Sequence, residues 1–172
     1  IKFTADSNNP TAGFWRYMHF ADNTVDARTL LEHCVIEYAG SSNVAVDLNN
    51  ANFPIRYSTF RHIQGKAIIA NDGAQNCSLQ GNNFTDISSY GISIHPNNIT
   101  LTSGNTGTSH IEVRVGNHNR ADALWPRQGM DYVFTGIVDI YGYANSTPSY
   151  VTIEPGVTLR FNPGTGINVG HA

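Results

Sequence analysis

Apolar residues in this chain return every 24 positions. Leu31, Ile55 and Leu79 form one column, and Ile36, Phe60 and Phe84 a second. Ala39, Ile63 and Ile87 form a third, Val44, Ile68 and Ile92 a fourth, and Val46, Ala70 and Ile94 a fifth. A fixed period of this size is the mark of a repeat architecture. Within each repeat the apolar positions alternate, as in Phe53, Ile55 and Tyr57 or Ile92 and Ile94. Alternation with period two is the pattern of a strand. Only Val25–His33 shows partial helical spacing. Gly, Asn and Ser punctuate the strands, and 19 Asn and 16 Gly supply the turn chemistry.

About 24 residues with short strands and no helix make one coil of a β-solenoid. Each coil supplies about three strands, stacked ~4.8 Å above the last, so equivalent side chains become ladders. An α/β fold lacks its helices here, and a β-sandwich would not hold columns in register. The chain of 172 residues reads as one all-β domain, 1–172, of about six or seven coils. The register breaks near Asn98, where Ile111, Val113 and Val115 follow their expected partners by about 21 positions. Gly116–Gly129 reads as a polar loop. Strands return at Tyr132–Tyr141, Val151–Phe161 and Gly166–Val169.

Charge narrows the functions. Only 13% of residues are charged and the net charge is −3, with ten Lys and Arg scattered along the chain. That argues against nucleic acid as a partner. No apolar run is long enough for a membrane-spanning helix. Cys34 aligns with Ser58 and Asn82 at a turn, and Cys77 shares an inward column with Phe53 and Leu101. The two cysteines lie nearly two coils apart, ~9–10 Å, beyond the about 7 Å a disulfide spans. Both are expected as free thiols.

Several segments carry a family resemblance. "IKFTADSNNPTAGFWRYMHF", "LLEHCVIEYAG", "STF…AII", "NNF…YGISI" and the closing "VTIEPGVTLRF…GTGINV" resemble bacterial secreted right-handed parallel β-helix proteins of the pectin-lyase-like superfamily. The resemblance implies a right-handed parallel β-helix, in line with the handedness rule for parallel crossovers. It also implies a secreted or cell-surface location. In that group a segment like "TIEPGV" usually precedes one like "IKFTA", whereas here IKFTA opens the chain and IEPGV closes it. The chain therefore reads as a segment of a longer extracellular protein, and its exposed solenoid ends are expected to stack on another copy, by end-to-end self-association, or on missing domains.

Three clusters are candidate sites. The first is the column Asp47, Asn71 and His95 with Asp72 beside it. A carboxylate, an amide and an imidazole on one face suit a hard cation such as calcium, a sugar hydroxyl, or acid–base chemistry. Ordinary turn chemistry explains the same residues. The second is Arg56, Arg61, His62 and Lys66 in one coil. The resemblance includes polysaccharide lyases, in which a basic side chain removes a proton beside a uronate, but no lyase motif is visible. Glu32 and Glu37 stand 24 residues before Arg56 and Arg61, so exposed inter-coil ion pairs compete with the chemical reading. The third is the segment holding His118, Arg120, Trp125 and Arg127, where Trp125 would stack on a sugar or cap the solenoid. No zinc motif and no nucleotide-binding glycine loop occurs. Regular outward Thr ladders, which an ice-binding solenoid needs, are missing, since Thr59 stacks on Val35 and Asn83.

The reading that follows is a non-catalytic extracellular β-helix domain that binds a polysaccharide or cell-surface glycan, or serves as a structural module. It needs no cofactor, though calcium is admitted. The alternative is a polysaccharide lyase or glycoside hydrolase using Asp47, Asp72 and His95, or Arg56, Arg61 and Lys66.

Overall fold

A computed structural model describes residues 1–120, 123–141 and 150–170. Every strand pair among them is parallel. The chain is a β-solenoid of about six turns with almost no helix. The longest sheet stacks seven strands: Met18–Phe20, Val44–Leu48, Lys66–Ala70, Ile92–Ile94, Ile111–Val113, Tyr132–Phe134 and Leu159–Phe161. A five-stranded sheet runs from Lys2–Phe3 through Val35–Glu37, Thr59–Ile63 and Asn83–Ile87 to Thr106–Gly107. A four-stranded sheet holds Leu31–Glu32, Ile55–Arg56, Leu79–Gln80 and Thr102–Ser103.

The predicted columns Leu31–Ile55–Leu79 and Ile36–Phe60–Phe84 are paired rung for rung. Phe60 stacks on Phe84 with ring centroids 5.1 Å apart, and both are fully buried. The seven-stranded sheet departs from the 24-residue register. Val46, not Val44, pairs with Ile68, and Leu48, not Val46, pairs with Ala70, a step of 22. The reason is a corner of unequal length. Ten positions separate Ile36 from Val46, whereas eight separate Phe60 from Ile68. The next corner compensates, with nine positions from Val46 to Ile55 against eleven from Ile68 to Leu79. One unbroken inward column then runs from Met18 through Val46, Ile68, Ile92, Ile111 and Tyr132 to Leu159.

The break near Asn98 is a 3-10 helix, Pro96–Leu101, capped by His95 and opened by a proline that donates no amide. Ile111 follows Ile92 by 19 positions, so the shortened coil is real but the pairs are one strand step from the expected ones. Thr102 pairs with Leu79 across 23 positions, and this slide takes Leu101 out of the expected column under Cys77. The Gly116–Gly129 loop of the sequence reading contains two strands, Gly116–His118 and Ala123–Trp125, which start two further sheets. Val25–His33 forms only a 3-10 turn, Asp26–Arg28, followed by the strand Leu31–Glu32.

Two corners repeat with left-handed backbone. One stacks His33, Tyr57, Gly81 and Gly104, with φ of 51°, 51°, 63° and 64°. The other holds Tyr38, His62 and Asp86 at 62°, 52° and 52°. Such geometry costs about 1–2 kcal/mol for a residue with a Cβ. Ring stacking offsets it: His33 on Tyr57 at 5.6 Å and Tyr38 on His62 at 5.0 Å. Inside the first corner lies a polar ladder. The Cys34 amide donates to Ser58 Oγ, the Ser58 amide to Asn82 Oδ1, the Asn82 amide to Asn105 Oδ1, and the Asn105 amide to Gln128 Oε1. The alignment of Cys34, Ser58 and Asn82 therefore holds, and its purpose is to satisfy amides at a bend where no strand can. Cys34 and Cys77 are both free and buried.

Candidate functional site

The basic coil is dispersed by its own corners. Arg56 sits on the four-stranded sheet, Arg61 and His62 on the five-stranded sheet, and Lys66 on the seven-stranded sheet. Each faces an acid on another coil: Arg56 meets Glu32 at 2.6 Å, Arg61 meets Glu37 at 2.6 Å, His62 meets Asp86 at 2.6 Å and Lys66 meets Glu112 at 2.5 Å. The expected pairs with Glu32 and Glu37 form. The expectation that both would be exposed fails for Glu37, whose side chain is 2% accessible. Burial pushes the Glu37 carboxyl up, but hydrogen bonds from Lys2, Thr4 and Arg61, with the Arg61 charge, overcome this and hold it at about 2. Thr4 Oγ1 donates at 2.6 Å and Lys2 Nζ lies 2.6 Å away. Glu37 thus ties the first strand to the stack.

The column Asp47–Asn71–His95 does not form. The 22-residue step places Asp47 on Ile69, and its carboxylate lies 2.9 Å from His19 Nδ1 on the preceding coil. Asn71 instead accepts from the Asn50 amide at 3.0 Å and donates from Nδ2 to Asn49 Oδ1. Asp72 pairs with Arg114 at 3.2 Å, and Arg114 also donates to the Ala70 carbonyl. His95 is buried, and its Nδ1 accepts from the Asn97 amide at 3.2 Å. Burial holds the His95 imidazole below its ordinary range; Asp72 opposes this, while Arg114, His118 and Arg120 add to it. A neutral His95 whose Nδ1 is occupied carries its proton on Nε2. The structure thus brings Asp72, His95 and Arg114 into one neighbourhood and leaves Asp47 outside it.

Trp125 is fully buried within a strand, its ring edge-on to His118 at 5.9 Å and near Phe134 at 5.8 Å. It is core, which removes it from the ligand-binding set.

A surface recess was not read from the sequence, although Arg56 in its lining was. It has a volume of about 520 Å³ and is lined by Asp26–Leu30, Asn52, Pro54 and Arg56. Its wall comes from the long coil between Met18 and Val46, 28 positions against 22 or 24 on the two rungs above. The surplus bulges outward as the 3-10 turn. Asp26 Oδ1 accepts from the Asn52 amide at 2.8 Å, and Thr29 Oγ1 donates to the Val25 carbonyl at 2.9 Å. Asp26 thereby fastens the bulge to the next coil. Ala27, Leu30 and Pro54 are its apolar lining residues, beside the Arg28 and Arg56 cations. Arg56 adjoins Tyr57, which is 54% exposed at the corner. The partial helical spacing of Val25–His33 was the available signal, since it marked an insertion that the period could not absorb.

The fold and recess define the class: an all-parallel β-solenoid with ion pairs between coils on its outward faces and a mixed polar and apolar recess at a long N-terminal coil. Compared with known proteins, the chain matches no family model, no curated protein and no solved structure. Among the described residues, no group of three or more His, Cys, Asp and Glu is set to hold a metal, and no helix is long and apolar enough to cross a membrane.

Proposed function

We propose that this chain is a non-catalytic β-solenoid module of a secreted or cell-surface protein, and that it binds a glycan at the Arg28–Arg56 recess. The observation that carries the reading is the recess itself. It sets the Arg28 and Arg56 side chains beside the apolar side chains of Ala27, Leu30 and Pro54. A sugar ring needs that combination, with apolar contact for its face and polar groups for its hydroxyls or carboxylate. Arg56 is paired through Nε with Glu32, and its remaining planar N–H donors suit a hydroxyl or a carboxylate. The ion pairs support the non-catalytic half. Arg61 and Lys66, which a lyase would use as bases, are each held by a carboxylate. Placement in the pectin-lyase-like group rests on the resembling segments and the solenoid.

Titration against a glycan array, followed by calorimetry on the strongest binder, tests this. Saturable binding should fall at least tenfold in Arg28→Ala and Arg56→Ala, with melting little changed. Binding that is indifferent to both variants rules out the recess. Repeating the titration in EDTA decides whether calcium takes part. The enzymatic alternative draws on Asp72 beside His95 and Arg114; product formation lost on Asp72→Asn would favour it.

A further inference from the structure

Two buried histidines hold the short helix Pro96–Leu101. His95 precedes it and takes the Asn97 amide on Nδ1 at 3.2 Å. His118, one coil further on, lies 3.1 Å through its own Nδ1 from the Pro96 carbonyl. A carbonyl only accepts, so His118 carries its proton on Nδ1 and His95 carries its own on Nε2. Each ring has its second protonation site barred. At His95 that site is Nδ1, which already faces an N–H. At His118 it is Nε2, which is buried and has no hydrogen-bond partner among the described residues. The surrounding charge is mostly cationic. Arg114, His118 and Arg120 act on His95, against one carboxylate, Asp72, which is itself paired with Arg114. Arg120 also acts on His118, and its Nε donates to the Asn97 carbonyl at 2.7 Å. Cys77 Sγ lies 3.3 Å from Asn98 Nδ2, and burial pushes its thiol up to about 12, so it adds no charge. The helix packs on the strands Ile92–Ile94, Thr102–Ser103, Gly116–His118 and Ala123–Trp125, in which His118 is the one titratable side chain. Burial is the largest influence on both imidazoles and holds each below its ordinary range.

We propose that His95 and His118 form an acid-sensitive latch, which holds the Pro96–Leu101 helix against the coil above while both rings are neutral and releases it when either takes a proton from solvent. A second proton on His95 turns Nδ1 from an acceptor into a donor, and the Asn97 amide loses its partner. A second proton on His118 places an N–H where none of the described residues accepts it. Either event also adds a cation beside Arg120, and at His95 beside Arg114 as well. In the released state the rings meet water and titrate at the ordinary 6.5. Released rings therefore bind protons more readily than held ones. The latch is closed above pH 6.5 and opens progressively as pH falls below it. The inference is independent of the glycan reading.

Imidazole nitrogen shifts and hydrogen exchange test it. At about pH 7.5 the shifts should show both rings neutral, His95 protonated on Nε2 and His118 on Nδ1. From about pH 7.5 to about 5.5, protection of the Asn97 and Asn98 amides should fall by about threefold to tenfold for each imidazole, after correction for intrinsic exchange. Amides of Thr59–Ile63, on another sheet, should keep their protection. His95→Asn keeps an acceptor and His118→Asn a donor at about the reach of Nδ1, and neither titrates. Each single variant should lose part of the fall, and the double variant should show none. Four results would each overturn the proposal: the opposite tautomers, a fall of less than about threefold in all, an equal fall at Thr59–Ile63, or a fall that survives in the double variant. Circular dichroism confirms that the variants are folded, and the tautomers and the pH profile of the unmodified chain stand without them.

Discussion

Asn82 makes three inter-coil hydrogen bonds with one side chain. Its Oδ1 accepts from the Ser58 amide, and its Nδ2 donates to the Ile55 carbonyl and to Asn105 Oδ1. It is wholly buried. Asn82→Ala leaves those groups without partners, at a cost of about 1–3 kcal/mol for each one stranded. Urea unfolding should show a loss on the order of 3 kcal/mol, while the exposed neighbour substitution Asn83→Ala should stay within about 0.5 kcal/mol. Glu37 makes a pH prediction. Its folded pKa of about 2 lies below the ordinary 4.5. A depressed carboxyl stabilises the fold above the unfolded pKa, and that stability is lost as pH falls from about 4.5 to about 2. The contribution is at most about 3 kcal/mol, reduced because Lys2 and Arg61 are half exposed. Glu37→Gln should therefore be less stable than the parent at pH 7, and the two should converge near pH 2, as measured by thermal melting across pH.

At the scale of the element, the corners decide more than the strands. Gly81 needs φ of +63°, and a Cβ there would come within 2.6 Å of the Tyr57 ring. Gly81→Ala should cost about 1–2 kcal/mol for the backbone plus the ring clash. In a Tyr57→Ala background the clash disappears and only the backbone cost remains, so a double-mutant cycle separates the two. The corners also explain what the sequence revealed. The columns through Leu31 and Ile36 were legible because the 24-residue step holds over the three coils they span. The shift on the third sheet was not legible, because a two-residue slip leaves inward positions inward. Val44 and Val46 are equally apolar, so composition could not choose between them. The slip is what separates Asp47 from Asn71 and His95. Trp125 was misplaced for a related reason: a strand of three residues inside a polar stretch gives periodicity too little length to register. The recess stayed hidden because its wall is a bulge, whose residues follow no period.

At the scale of the molecule, the ladders make a rod whose coils contact mainly their neighbours, so stability is close to a sum over coil interfaces. Outward ion pairs between coils, such as Glu32–Arg56 and Glu37–Arg61, support that register. A rod of this kind presents rigid faces along its length and concentrates irregular chemistry where a coil is long. That is where the Arg28–Arg56 recess lies, and the central claim is that it holds a glycan without cleaving it. The most direct measurement is a prolonged incubation with the polysaccharide that binds best, following ultraviolet absorbance from unsaturated uronates together with the appearance of reducing ends. The account predicts saturable binding with neither signal rising. Steady product formation that is lost on Arg61→Ala, Lys66→Ala or Asp72→Asn, with unchanged melting, would contradict it.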